Sequence, residues 1–408
     1  MKRHHRPPTR YASPRLPSFA LTSPMKLRAS LLALAAGLAA PAWAQSGGSP
    51  WYVGASVGHY YTNNVFRTSA SETSDRLTSL SLLGGVDTRL GRQRVYANLR
   101  LNDTRYQDNT RLNNNGYDLG TGVNWETVGN LSGTLDYTRK RTLADFNSTT
   151  AIAPTTERNL QTDQSATASV RLGLPQLSNY SLEAMWIHRE REYSLPIFDS
   201  QEYRQDAQSL GVLYNASSAW RFGLAGRYTK GKVPANGFEY DRKDLDLTAQ
   251  WRATGSSSLN ARVSRSKSDS FSGVTGALVW DWRPGGRWSL NTQFSRDTGI
   301  ETYYLGINNG LSDYNRVQTA LQTQLNYQLT GKVTLQLGGG FTRLSRNDDQ
   351  FGTSSRDNSR QYSLGIAWQA LRNVTLGCQY NRVSRDTTNA LYDYGAYTAG
   401  CYVQGMIR

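Results

Sequence analysis

Over most of its length the chain alternates apolar and polar residues with a period of two, in runs of about ten. Leu245, Leu247, Ala249 and Trp251 alternate with Asp244, Asp246, Thr248 and Gln250. Val317, Thr319, Leu321, Thr323, Leu325 and Tyr327 do the same against Gln318, Ala320, Gln322, Gln324 and Asn326. Successive side chains of an extended strand point to opposite sides, so each run has one apolar and one polar face. The links between runs differ in length. Short polar links fall near 89–93, 128–130, 175–178, 216–218, 254–256, 284–286, 329–332 and 371–372. Longer ones lie near 64–75, 107–114, 143–162, 191–203, 232–242, 297–313, 345–360 and 385–394, with one short exception near 269–271. Short periplasmic turns and longer outer loops produce this alternation. The pattern predicts an all-β fold, a transmembrane antiparallel β-barrel of about eighteen strands with both ends on the periplasmic side. A soluble β-sandwich or solenoid also alternates, but it does not sort its link lengths in this way.

Tryptophan placement adds to this picture. Trp51, Trp125, Trp220, Trp251, Trp282, Trp288 and Trp368 lie beside the chain start or a short turn, most of them on the apolar face. Indole favours the membrane–water boundary, so these positions predict a periplasmic aromatic girdle. No run reaches the roughly 18 to 20 apolar residues of a membrane helix, which excludes a helical membrane protein.

The first 44 residues differ from the rest. Residues 25–44 read MKLRASLLALAAGLAAPAWA, with Lys26 and Arg28 ahead of a short apolar run. Ala42 and Ala44 supply the small residues of a cleavage site, predicting a signal peptide cut between Ala44 and Gln45. Residues 1–24 read as a disordered extension or a mis-called start, and 45–408 as the barrel. This segment also distorts the charge, because residues 1–44 hold seven cations and no acid. Without it, 39 Lys and Arg face 31 Asp and Glu, a modest excess that does not call for nucleic acid. The predicted partner is the lipid of the cell outer membrane.

On the polar faces, Arg100, Arg171, Arg221, Arg227, Arg262, Arg287 and Arg316 are placed inward. So are Asp118, Glu126, Asp136, Glu183, Asp244, Asp246 and Asp281, among many Thr, Ser, Gln and Asn. About eighteen strands leave an aqueous lumen unless a loop plugs it. These charges either line a path for hydrated solutes or pair across strands to hold the wall. Cys378 and Cys401 fall at matching depth on the last two strands, compatible with a disulfide or with two lipid-facing thiols.

Catalytic chemistry has little to work with. Only His59 and His188 follow the signal, each near an outer strand end, with Glu190 and Glu192 beside the second. No metal site, no cofactor and no enzyme activity are predicted. Asn347, Asp348 and Asp349 lack the spaced ligands of a calcium loop. Tyr303, Tyr304, Tyr392 and Tyr394 flank outer loops, where they either stack on sugar rings or form an outer girdle.

The segment Tyr61-Thr62-Asn63-Asn64-Val65-Phe66-Arg67 is similar to an Asn-hydrophobic-Phe-Arg element of a known group. Gly129-Asn130-Leu131-Ser132-Gly133, followed by Arg139-Lys140-Arg141, resembles that group's second short turn, and the two cysteines are similarly placed. The chain thus resembles the outer-membrane β-barrel porin type 2 proteins encoded with exopolysaccharide synthesis genes, the EpsL-like group of Gram-negative bacteria. The resemblance implies a role in exopolysaccharide biosynthesis or export, as conduit or accessory, with the polysaccharide and its secretion machinery as partners. Barrel physics alone also admits a general diffusion porin, or a structural or adhesive barrel without transport.

Overall fold

The computed structural model describes residues 49–147, 155–173, 179–235, 237–268, 272–298, 316–348 and 353–408. The segments 1–24 and 25–44, with the cleavage site at Ala44 and Gln45, lie outside them, as do Tyr303, Tyr304 and Asp349. The first strands are β1 (Trp51–Thr62), β2 (Asp75–Leu90), β3 (Gln93–Tyr106), β4 (Asn114–Glu126), β5 (Leu131–Leu143) and β6 (Leu160–Leu172). There follow β7 (Tyr180–Tyr193), β8 (Tyr203–Asn215), β9 (Trp220–Val233), β10 (Phe238–Thr254), β11 (Ser257–Ser268) and β12 (Ser272–Trp282). The last are β13 (Trp288–Asp297), β14 (Arg316–Gln328), β15 (Val333–Asp348), β16 (Thr353–Leu371), β17 (Val374–Thr387) and β18 (Tyr394–Ile407).

Every strand pairs antiparallel with its sequence neighbour, and β1 pairs with both β2 and β18. The sheet is therefore an 18-stranded closed barrel with no free edge. Closure matters because backbone groups in lipid find no water to bond.

The alternation sets the two surfaces. On β9, Trp220, Phe222, Leu224 and Tyr228 are exposed on the outside, whereas Arg227 and Thr229 are buried on the inside. Leu245 and Leu247 of β10 are 55% and 59% exposed, and the intervening Asp246 is completely covered. An apolar exterior around a polar interior is the inverse of a soluble domain, and it is the dress of an outer-membrane barrel. Six of the seven girdle tryptophans are exposed, with Trp125 half-buried. Trp220 stacks on Trp251 at 5.3 Å and Trp288 on Tyr327 at 4.1 Å, across neighbouring strands.

Two links are shorter than the sequence predicts. β9 and β10 are separated only by 234–237, and β15 and β16 only by 349–352. The strands continue past the lipid, where alternation no longer marks them because both faces are polar. Arg287 also departs from expectation. It stands in the turn after Pro284-Gly285-Gly286, exposed and ahead of β13, not on the inner wall. Both glycines adopt positive φ (62° and 73°), which makes this turn compact and delays the strand to Trp288.

Candidate functional site: the barrel interior

The remaining predicted lumen residues fall on inward faces, mostly in local pairs. Arg100 stands directly opposite Asp118 in the β3–β4 register. Arg171 Nε donates to Glu183 at 2.8 Å, and Arg221 Nε to Asn215 Oδ1 at 2.7 Å. Tyr96 donates its hydroxyl to Asp136, and Asn291 donates to Asp281 at 2.9 Å. Glu126, at the periplasmic end, has Arg92 at 3.8 Å. Arg316 opens β14 at an inward register position, and its side chain lies outside the described set.

Arg227, Arg262, Asp244 and Asp246 belong to a larger assembly. Arg227 grips Asp246 with two hydrogen bonds, from Nε at 2.9 Å and Nη2 at 3.0 Å. Asp246 also faces Arg262 at 3.6 Å, and Arg262 faces Asp297 at 3.6 Å. Asp297 accepts from Arg242 at 3.2 Å, and Arg242 Nε donates to Asp244 at 2.9 Å. Asp244 Oδ2 returns to Arg227 Nη2 at 3.4 Å, an ion contact without hydrogen-bond geometry. Three guanidiniums and three carboxylates thus alternate around a closed ring. All six are buried, the most exposed being Arg227 at 7%. Buried ions persist only when paired and hydrogen-bonded, and here each ion touches two of opposite sign. Hydroxyls supply further bonds. Arg262 donates to Ser264, Arg242 donates to Thr298 and Ser266, and Ser266 lies 2.9 Å from Thr275. Arg242 and Asp297 were not legible as members, because both fell inside what reads as long outer links.

Facing this ring's level from β1–β3 is a second packed patch, built by loops. Val65 and Phe66 from the first outer loop meet Leu112 and Phe146 from the second and third. They pack on the inward Tyr60, Leu77 and Tyr106, with Leu143 against the group. Phe66 and Phe146 meet edge to face at 5.3 Å. The Tyr60 ring lies flat on the wall because Gly58 and Gly400 bear no side chain. A Cβ on either would come within 2.6 Å of that ring.

Asparagines clasp the loops together. Asn64 Nδ2 donates to Thr68 O at 2.8 Å and to Gly395 O at 3.1 Å. Asn147 Nδ2 donates to Arg67 O at 3.0 Å and to Tyr392 O at 3.1 Å. Arg385 holds Asn147 Oδ1 at 2.9 Å while its Nε donates to Asp357 at 2.9 Å. Asp75 accepts from the amides of Gln107, Asp108 and Asn109 at 2.9–3.2 Å, tying the second loop to β2. Arg67 pairs with Asp145 and stands over the Tyr394 ring at 5.8 Å. Tyr392 and Tyr394 are therefore buried clasp members, not exposed platforms for sugar rings.

The interior below these patches differs. On inward positions nearer the periplasm, Asn98 is exposed and Gln324, Gln336 and Asn326 are half-buried, and at mid-strand Gln322 and Gln361 are exposed. Exposure on the inner face of a closed barrel means a lumen wide enough for water. Both histidines, by contrast, point outward. His59 Nδ1 lies 3.3 Å from Thr78 Oγ1, and His188 Nδ1 lies 3.0 Å from Asp206 Oδ1. Among the described residues no His, Cys, Asp or Glu cluster is arranged to hold a metal. Cys378 and Cys401 are also outward, directly opposite in register, and joined by a disulfide with Cα atoms 4.0 Å apart.

No family model matches the chain, and no curated protein matches it. Among solved structures it is similar to the outer membrane protein OpdK of Pseudomonas aeruginosa. The two are 12% identical over 88% of this chain and 98% of that one, with a TM-score of 0.44. OccK9 (OpdG) of the same organism is 12% identical with the same coverage and a TM-score of 0.47. OccAB4 of Acinetobacter baumannii is 11% identical over 88% of this chain and 99% of its own, at 0.44. At these identities and scores none of them assigns a ligand or a site residue to this chain.

Proposed function

We propose that this barrel is a passive outer-membrane channel for small hydrophilic solutes, of the general-porin kind. The observation that carries the reading is the contrast along the lumen. Its periplasmic half presents amides such as the exposed Asn98 and the half-buried Gln324 and Gln336, while its outer half holds the packed loop knot and the buried charge ring. A hydrated solute exchanges water for Asn, Gln, Ser and Thr contacts there at little net cost, since each hydrogen bond is replaced by a similar one. This outer packing favours small molecules over a polymer. The ring's equal numbers of Arg and Asp give its wall no strong preference for either ion sign.

An exopolysaccharide role draws on the sequence resemblance alone and is the competing outcome of the test. Purified full-length protein is reconstituted in planar bilayers and in liposomes loaded with sugars of increasing size. The expected result is steady ionic conductance and permeation that falls off beyond small oligosaccharides. A silent bilayer, together with lost secreted polysaccharide on deletion of the gene, would replace the channel reading with the exopolysaccharide one.

A further inference from the structure

The exterior of β9–β13 carries a feature that solute passage does not use. Among the described residues of these strands, charge on the outward faces lies toward the outer ends, down to Arg265 on β11 and Arg296 on β13. Lys243 of β10 and Lys267 of β11 stand directly opposite each other in register. Arg265 lies on the same outward face of β11, two residues below Lys267. All three side chains are exposed. Like charges opposed on neighbouring strands repel, and a sheet keeps such a pair at a cost unless an anion sits between them.

Among the described residues, the neighbouring acids are otherwise engaged. Glu239 pairs with Lys230 at 2.9 Å, and Asp241 accepts from the Tyr228 hydroxyl at 3.4 Å. Arg265 makes one long bond to Ser272 Oγ at 3.4 Å. Leu245 and Val274 flank Arg265 directly in register, and Leu247 and Val263 come one step below, each of the four more than half exposed on the outside.

Height identifies what the triad faces. Lys243 precedes the girdle residue Trp251 by eight positions. At ~3.4 Å per residue and a tilt of ~40°, that separation spans about 20 Å of membrane depth. The apolar band of such barrels is about 25 Å tall, so the ammonium reaches its upper margin on a flexible stem. The groups found at that level are the headgroups of the outer leaflet. We propose that Lys243, Arg265 and Lys267 form a binding site for a phosphorylated lipid headgroup, with the acyl chains lying on Leu245, Leu247 and Val263. Two ammoniums and a forked guanidinium suit phosphate oxygens, and the bound phosphate relieves the Lys243–Lys267 repulsion. This site stands on the barrel exterior and does not depend on what passes through the lumen.

The test uses the full chain in phosphatidylcholine nanodiscs containing a bis-phosphorylated disaccharide glycolipid or its dephosphorylated form, read by native mass spectrometry. Wild type is expected to retain the phosphorylated lipid. The triple variant Lys243→Gln, Arg265→Gln, Lys267→Gln is expected to bind it about a hundredfold more weakly. The control Arg139→Gln, Arg141→Gln, elsewhere on the exterior, is expected to bind like wild type. Heat-modifiable migration checks that each barrel is folded, and the single variant Lys267→Gln substitutes if the triple variant is not. Equal retention of the dephosphorylated lipid by wild type, or unchanged binding by the folded variants, overturns the proposal. So does inorganic phosphate occupying the triad equally well with no lipid present.

Discussion

The outer half of the interior is filled in two unlike ways. On β1–β3 the filling is apolar and comes from loops, with Phe66 and Phe146 laid on Tyr60, Leu77 and Tyr106. On β9–β13 it is ionic and comes from the wall itself, with three arginines and three aspartates closing a ring. A loop knot can lift as a unit while the barrel stays closed, because its hydrophobic contacts are separate from the strand ladder. The charge ring has no such freedom, since its members are strand residues on adjacent registers. Taking one ion away leaves each of its two neighbours with a single partner in a dry place.

That difference orders the expected effects. Asp246→Ala leaves Arg227 and Arg262 without a shared partner and should cost about 3–5 kcal/mol. Denaturant unfolding of the reconstituted barrel measures it, and a loss below ~1 kcal/mol would mean that water reaches the ring. Phe146→Ala should cost about 3 kcal/mol of knot stability. That loss is expected as protease cleavage in the loop at 63–74 and raised conductance, with the global unfolding midpoint nearly unchanged. A matching drop in the midpoint would show that knot and wall unfold together. Asn147→Ala removes the clasp to Arg67 and Tyr392 and should cost about 1–3 kcal/mol, seen as more frequent current fluctuations. Arg171→Gln breaks a half-exposed pair with Glu183 near the periplasm and should shift stability by at most ~1 kcal/mol.

The same contrast explains what the sequence could reveal. Lipid on one side and water on the other impose a strict period of two, so Leu245–Trp251 announces both its strand and its inward Asp244 and Asp246. Above the membrane both faces of a strand are polar. There the alternation vanishes, and Arg242 and Asp297 look like loop residues although they complete the ring. The knot is illegible for another reason. Val65, Phe66 and Phe146 are isolated apolar residues in irregular segments, with no period to show that they share a core. Arg287 shows the converse error, a charge assigned to the wall because it borders a strand that begins one residue later.

The disulfide has a consequence for how the barrel is sealed. Cys378 and Cys401 tie β17 to β18, and β18 is the strand that must find β1 to complete the circle. A slip of one residue in that last hairpin would turn every β18 side chain to the opposite face. With the hairpin stapled, β18 reaches β1 already in frame, and the seam has one fewer alignment to search.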